Sequence, residues 1–479
     1  MQPKRAVVIG GGLAGLSATD ALLAAGWTAT LLEPAAKLGG VIDTVRRDGW
    51  LVERSADSFL TARPEAVAVV DRLGLAGELI GIQPAARRAL VCRRGRLHPV
   101  PAGFRLLAPG RVGSALSSGL LSPAGRLRLL AERWIERRPE TVEDESLQSF
   151  AVRRLGRETF DWLVQPLVAG IWTADPARLS MAASCPEFFE MERTHGSLWA
   201  GEAARLATSR RKADQASGAR YGQFATLAGG MRELVDSLAR RISAAVVRRA
   251  RVRRIERLPA GGWAVDAEDV ASGSAEPLSA DAVVLAVPAT VAAGLLAGID
   301  APLAEALRGI EYAGSAIVSL GFAREDVAHP LDAAGVVVPR SEGRRILAVS
   351  FSSSKFPGRA PDGHVLMRVF VGGALDPDVA ALDDTALESL AVREVGSLLG
   401  VRGRPRLVQI DRWAGAMPQY HLGHVRRLER IEARLATLPS LALAGSAYRG
   451  VGIPQVILSG SQAAERIVRA ASGTAIRAE

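Results

Sequence analysis

Residues 10–15 read Gly10-Gly11-Gly12-Leu13-Ala14-Gly15, and the run TATLLE ends at Glu33, eighteen residues beyond the last of these glycines. Glycines spaced G-x-G-x-x-G cradle a pyrophosphate: the first permits a tight turn, the second lets backbone approach the phosphates, and the third lets helix pack on strand. A carboxylate at Glu33 accepts hydrogen bonds from ribose hydroxyls and disfavours a 2′-phosphate, so FAD or NAD is favoured over NADP. A second concentration of chemistry is RRALVCRRGRLHP at 87–99, five arginines and a histidine among apolar residues. Such a stretch suits an anion, whether a nucleic-acid backbone, a lipid headgroup or a carboxylate-bearing substrate.

Other chemistries find no constellation. Cys92 and Cys185 stand far apart without CxxC spacing, and the six histidines form no HExxH pattern. No disulfide framework or metal site is expected, although His421 and His424 are three apart. No Ser/His/Asp arrangement or carboxylate pair is apparent either.

These groups need elements to position them. RAVVIG (5–10) has strand character and LSATDALLAAG has helical spacing, so the glycines sit where a helix N-terminus faces phosphates. With 479 residues, 48% apolar, the chain is expected to form two or three lobes, and its net charge of +10 raises the prior for anionic partners. Residues 128–138 and 148–168 carry amphipathic periodicity, and 201–222 reads as a polar loop. The 102–125 stretch offers Leu and Arg that could rest on a bilayer surface. From 220 onward, RVRRIERL and WAVDAED pair as strands, ADAVVLAVPA is a buried strand, and AIVSLGF, GVVVP, ILAVSF and HVLMRVFVGG alternate as an antiparallel sheet roofing a cavity. The tail LALAGSAYRGVGIPQVILSG reads strand, glycine loop, helix. The apolar N-terminus is explained by its glycine motif rather than by a signal peptide, and no ~18-residue apolar stretch for a spanning helix is seen. A cytoplasmic chain is expected.

Pro34 to Gly40 (PAAKLGG) resembles the turn that lies beside the FAD ribose in the flavoprotein oxidase superfamily. Further stretches, GIWTADPARLS (170–180), EMERTHGSL (190–198), FATLAGGMRELVDSL (224–238), FVGGA (370–374), WAGAMPQYHLGH (413–424) and GSAYRGVGI (445–453), resemble the protoporphyrinogen/coproporphyrinogen oxidase family over roughly residues 5–470. The resemblance implies an α/β fold: a Rossmann-like FAD-binding domain from 1–79, 211–300 and 411–479, an antiparallel-sheet substrate domain at 301–410, and an inserted helical, membrane-facing domain at 80–210. It implies FAD-dependent oxidation of a porphyrinogen to a porphyrin in haem biosynthesis, with O2 as acceptor and three H2O2 released. The cofactor contacts it carries over are Gly10, Gly12, Leu13, Ala14, Gly15, Glu33, Pro34, Leu38, Gly39, Gly40, Val252, Trp413, Gly445, Val451, Gly452 and Ile453. Gly170 and Phe370 are implied at the reacting carbon, with Arg87, Arg88, Ile171, Val337 and Ser350 as substrate contacts. Peripheral contact with the inner face of the cell membrane, a homodimer and hand-over to the next haem-pathway enzyme are further expectations, and nucleic acid is not.

Two departures from the family stand out. Ser55-Ala56 replaces a Gly-Pro pair before Asp57-Ser58, and Ala89 takes the place of a substrate-pairing Arg, with Arg88 one position earlier. Two other functions stay open. A flavin amine or polyamine oxidase shares the architecture, but only four Tyr occur and Lys355 is the sole lysine after Lys212. A non-enzymatic basic binding protein is the other, although aromatics are sparse.

Overall fold

The computed structural model describes residues 3–110, 112–139, 141–215 and 223–473. The apolar run near the N-terminus becomes the strand Arg5–Ile9, whose side chains enter two cores: Val8 on one side, Val7 and Ile9 on the other. It is central in a five-stranded parallel sheet, ordered Val246–Arg248, Thr28–Leu32, Arg5–Ile9, Ala282–Leu285, Leu441–Leu443. Continuous apolar strands are what a parallel sheet covered on both faces requires. Helices Leu13–Ala24 and Ile453–Ala471 cover one face. Helices Ala289–Leu296, Ala301–Arg308 and His424–Ala436 cover the other, with the antiparallel strands Ala250–Arg257, Trp263–Asp269 and Ala275–Ala280.

The second large sheet has seven strands, in the order Leu407–Pro418, Tyr312–Ala323, His364–Gly372, Ala348–Ser350, Gly335–Val337, Leu90–Arg93, Arg96–Pro99. It is antiparallel except where Gly335–Val337 runs parallel to Leu90–Arg93. One face packs on helix Asp384–Leu399 through Val318, Leu320, Val369, Val371 and Val349. The arginine-rich stretch at 87–99 therefore supplies a hairpin to this sheet and lies outside the helical lobe. Its turn is Arg94-Gly95, both at positive φ, as a two-residue hairpin loop requires.

The helical lobe proper runs from Val112 to Gln215 around a core of Phe150, Phe160, Val164, Phe188 and Leu198. Three sequence expectations change here. The 128–138 helix stops at Leu130 and tightens into a 3₁₀ turn, Ala131–Trp134, because Glu132 turns inward to accept from Arg154 and from the Leu198 amide. The 148–168 run is broken at Gly156, where φ is 88°, and passes through a π-helical segment, Phe160–Val164, before resuming as Gln165–Trp172. The expected loop at 201–222 is instead a helix through Gln215, since Ala, Glu, Arg and Lys there favour helix; residues 216–222 lie outside the described residues. No helix among the described residues is long and apolar enough to cross a membrane.

Candidate functional site

The glycine motif lies between the end of Arg5–Ile9 and the start of helix Leu13–Ala24. Gly12 occupies the N-cap and no side chain caps this helix, so its first-turn N–H groups point outward for an anion. A Cβ on Gly12 would meet nothing closer than the Gly40 Cα at 3.9 Å, whereas one on Gly15 would lie 1.9 Å from the Gly10 carbonyl oxygen. The first position is open toward a ligand and the second is closed by helix-strand packing. Gly39 bridges Gly12 and donates to the Gly11 carbonyl at 2.8 Å, while Leu38 offers its carbonyl to Arg232 at 2.8 Å. The Glu33 carboxylate closes the second strand, accepting from the amides of Gly11 (2.7 Å) and Ala35 (2.8 Å), and Pro34 beside it is exposed. Val252 sits at a register shift in its strand, a few residues beyond Arg248, whose carbonyl accepts from the Glu33 amide. Backbone amides, an uncapped helix start and a carboxylate at the strand end form a donor set that fits a dinucleotide such as FAD.

The C-terminal loop forms a second uncapped helix start. Gly452 caps helix Ile453–Ala471 without a side-chain hydrogen bond, after a loop through Gly445 and Val451. Two residues outside the loop hold it. The Tyr420 hydroxyl donates to the Ser446 carbonyl (2.5 Å) and accepts from the Gly450 amide (2.8 Å). His424 stacks on Tyr420 at 4.2 Å, and its Nε2 donates to the Tyr448 carbonyl at 3.0 Å. Burial pushes the His424 imidazole down to about 4, so it is neutral at physiological pH.

Strand register brings the remaining candidates together. Ala348 pairs with both Val337 and Phe370, Phe370 with Ile317, and Ile317 with Asp411, while Ser350 pairs with Arg368 and Ser315 with Trp413. Because directly paired residues share a face and alternate residues along a strand do too, Trp413, Asp411, Phe370, Arg368, Ser350 and Val337 all project from one side of the sheet. That side is opposite helix Asp384–Leu399. Its far end is closed by Trp50 and Val52 packing on Leu366 and Leu407. Helix Gln165–Trp172 frames its near end: the Gln165 side chain accepts from the Arg340 amide (3.0 Å), and Ala374 donates to the Thr173 carbonyl (2.7 Å). Leu163, just before this helix, packs on Val91 and Val337. Gly170 and Ile171 are exposed on it, and a Cβ on Gly170 would meet nothing within 4 Å.

Across this face runs the segment 53–58. Trp413 Nε1 donates to the Arg54 carbonyl (2.8 Å), and Arg54 in turn pairs with Asp411 (2.6 Å) and Asp43 (3.3 Å). Arg368 donates to the Ser55 carbonyl, and Asp57 receives Lys355 (2.8 Å), Arg368 (3.3 Å) and the Ser58 hydroxyl (2.9 Å). Burial alone would raise the Asp57 carboxyl, but Lys355 and Arg368 outweigh it and hold the group well below the usual carboxylate range. Glu53, whose carboxyl is pushed up by burial, accepts from Thr44 (2.7 Å) and the Met231 amide (2.9 Å). The Ser55-Ala56 departure thus keeps its place: the turn is pinned through the Ser55 carbonyl and Asp57.

Arg87 and Arg88 precede the hairpin rather than lying on it. Arg87 is exposed, and Arg88 is half exposed in an ion pair with Asp332, while the Arg88 carbonyl accepts from Ala334 beside Gly335. Tyr420, His424, Asp57, Lys355 and Arg368 are not among the site residues read from the sequence. The motif MPQYHLGH carried the first two; nothing local marked Arg368, whose partner Asp57 is 311 positions away.

Residues 13–468 match the family described as flavin containing amine oxidoreductase. The chain is 31% identical to a coproporphyrinogen III oxidase of Bacillus subtilis, covering 96% of this chain and 97% of that one. It is 35% identical to a coproporphyrinogen III oxidase of Propionibacterium freudenreichii, covering 97% and 91%. Among solved structures, a putative protoporphyrinogen oxidase from Exiguobacterium superposes with a TM-score of 0.84 at 28% identity, covering 98% of this chain and 99% of that one.

Proposed function

Given that the chain belongs to the flavin-containing amine oxidoreductase family, we propose that it oxidises a porphyrinogen to the corresponding porphyrin in haem biosynthesis, with O2 as final acceptor. The observation that carries this reading is the single sheet face on which Trp413, Phe370, Ser350 and Val337 stand together, framed by helix Gln165–Trp172. Names borne by the relatives support it. Bound FAD would supply the two-electron acceptor for hydrogen removed from saturated bridge carbons.

The chain's own residues then have positional tasks. Gly10, Gly12, Leu13, Ala14, Gly15 and the Gly39-Gly40 turn hold the pyrophosphate, Glu33 the ribose, and the Gly445–Gly452 loop with the Ile453 helix start holds the flavin end. Tyr420 and His424 fix that loop. Trp413, locked to the Arg54 carbonyl, keeps the 53–58 turn against the sheet. Phe370 offers a ring face to a pyrrole. Helix Gln165–Trp172 lies over the mouth, where the open side of Gly170 and Ile171 admits a bridge carbon without a clashing side chain. No acid-base pair is asked of the protein; orientation and exclusion of water are its contribution.

Arg87 and Arg88 form the outer carboxylate contacts, Arg88 exchanging Asp332 for a substrate acid. Leu107, Leu120 and Leu121 of the 102–125 stretch are buried, so the peripheral membrane contact falls instead to Leu127 and Trp134 of the helical lobe, which are 67% and 74% exposed, with Arg133 at 5.0 Å from the Trp134 ring. Anaerobic and aerobic turnover of porphyrinogens, followed by porphyrin fluorescence and H2O2 release, tests the activity. Oxidation of a polyamine with no turnover of any porphyrinogen would overturn it. Retention of the protein on anionic vesicles, lost in Trp134→Ser, tests the surface.

A further inference from the structure

The helix that frames the near end of the sheet face closes in a costly way. Its C-cap, Thr173, lies in the left-handed region with φ 46° and ψ 29°. Helices Pro186–His195 and Asp384–Leu399 end in the same region, but there the residues are Gly196 and Gly400, which have no Cβ to clash. Among the described non-glycine residues with positive φ, Thr173 alone is β-branched, the side-chain type that suits this region least. Its hydroxyl gives nothing back: Thr173 Oγ1 is buried and has no hydrogen-bond partner among the described residues. A residue keeps such a conformation only where its surroundings over-determine it.

Here they do so from two sides. The Ala374 amide donates to the Thr173 carbonyl (2.7 Å), and Gly373 comes so close that a Cβ on it would lie 2.8 Å from that carbonyl oxygen and 3.1 Å from the Thr173 Cβ. From the other side buried Gln419 donates through Nε2 to the Trp172 carbonyl (3.3 Å). Gly373 directly follows strand His364–Gly372, three residues after Phe370, and Thr173 stands three residues after Gly170. The clamp thus couples the two residues to which the proposed function gives a pyrrole and a bridge carbon. We infer that Thr173 is a positioning residue: wedged against Gly373, its stiff β-branched side chain sets the spacing between the Gly170–Ile171 turn and Phe370. A glycine at 173 would enter the left-handed region without cost and leave it as easily, so the helix end would lose its fixed angle. The inference rests on the proposed function for the use made of that spacing, while the clamp itself belongs to the fold.

The test compares wild-type holoenzyme with Thr173→Gly and Thr173→Val. Thr173→Gly should fold, keep its FAD and melt within a few degrees of wild type, because glycine takes this φ freely. Without substrate, amide hydrogen exchange across 170–174 should rise about tenfold in this variant as the helix end comes loose. Mixed anaerobically with saturating porphyrinogen, its flavin should bleach about tenfold more slowly than wild type, since the reacting groups are no longer held in line. Reoxidation of dithionite-reduced flavin by O2, which does not use the clamp, should be unchanged. Thr173→Val keeps the wedge and drops only the unpartnered hydroxyl, so it should match wild type in exchange and in both flavin half-reactions. Wild-type exchange or wild-type bleaching in Thr173→Gly overturns the inference, and so does a Thr173→Val that behaves like Thr173→Gly. If no porphyrinogen bleaches the wild-type flavin, the proposed function fails on its own, and the exchange rates of the two variants still decide the clamp.

Discussion

The proposed cofactor end and the proposed substrate end of this molecule are built from different materials. At the glycine motif the contacts are backbone amides, and specificity comes from the absence of side chains at Gly12 and Gly15. At the sheet face the contacts are side chains from four separate strands and a crossing turn, held in register by ladder hydrogen bonds and by Asp57 and Arg54. A backbone cradle tolerates almost no added atom, whereas a side-chain face tolerates many changes and responds mainly where a charge or a hydrogen bond loses its partner.

Substitutions can break that contrast or sharpen it. The largest effect belongs to Gly15→Val: with even a Cβ at 1.9 Å from the Gly10 carbonyl oxygen, helix and strand must part, so the purified protein should be colourless or insoluble. Normal flavin absorbance in this variant would mean that the cradle yields more easily than its geometry implies. Asp57→Asn comes next, leaving Lys355 and Arg368 without a carboxylate; unfolding free energy should drop by roughly 3 kcal/mol in denaturant titration. Tyr420→Phe removes both hydrogen bonds to the C-terminal loop, at a cost of about 1–3 kcal/mol, and should weaken FAD binding about tenfold by equilibrium dialysis. Arg88→Ala should be the mildest, raising KM only about two- to threefold because exposed ion pairs contribute little. No change in KM would place Arg88 outside the substrate contacts.

His424 adds a pH signature. Its ordinary value is 6.5 and burial lowers it to about 4, so between those limits the unfolded chain binds a proton that the folded chain refuses. Stability is unaffected by this group above 6.5, falls as pH drops through the window, and is lower by about 3 kcal/mol once pH is below 4. In His424→Gln the corresponding part of the pH profile should flatten. An unaltered profile in chemical denaturation would show that His424 does not carry it.

Legibility in the sequence follows the same division. Gly10 to Glu33 could be read because strand, turn, helix and strand are contiguous and each glycine has a local reason. The strands around 250–285 and 312–372 were also readable from their alternation. Which way Phe370 and Ser350 face was not, since that depends on register between segments far apart in the chain. The arginine stretch at 87–99 misled for a related reason. Its alternation signals a strand, but the partner that draws it out of the helical lobe is Val336-Val337, more than two hundred positions later. Lys355 was noticed only for its rarity, as a lysine that an amine oxidase would want; its meeting with Asp57 spans 298 positions and leaves no local trace.

The parallel sheet draws its strands from residues 5–9, 28–32, 246–248, 282–285 and 441–443. Its edge strand is thus the last to leave the ribosome, and Ala282–Leu285 waits for it with an open row of backbone groups through more than 150 further residues of synthesis. The loop and helix start assigned to the flavin end emerge later still. With the flavin end held by that loop, as proposed, the complete cofactor site would exist only once nearly the whole chain has been made, and until then the sheet carries an unpaired edge.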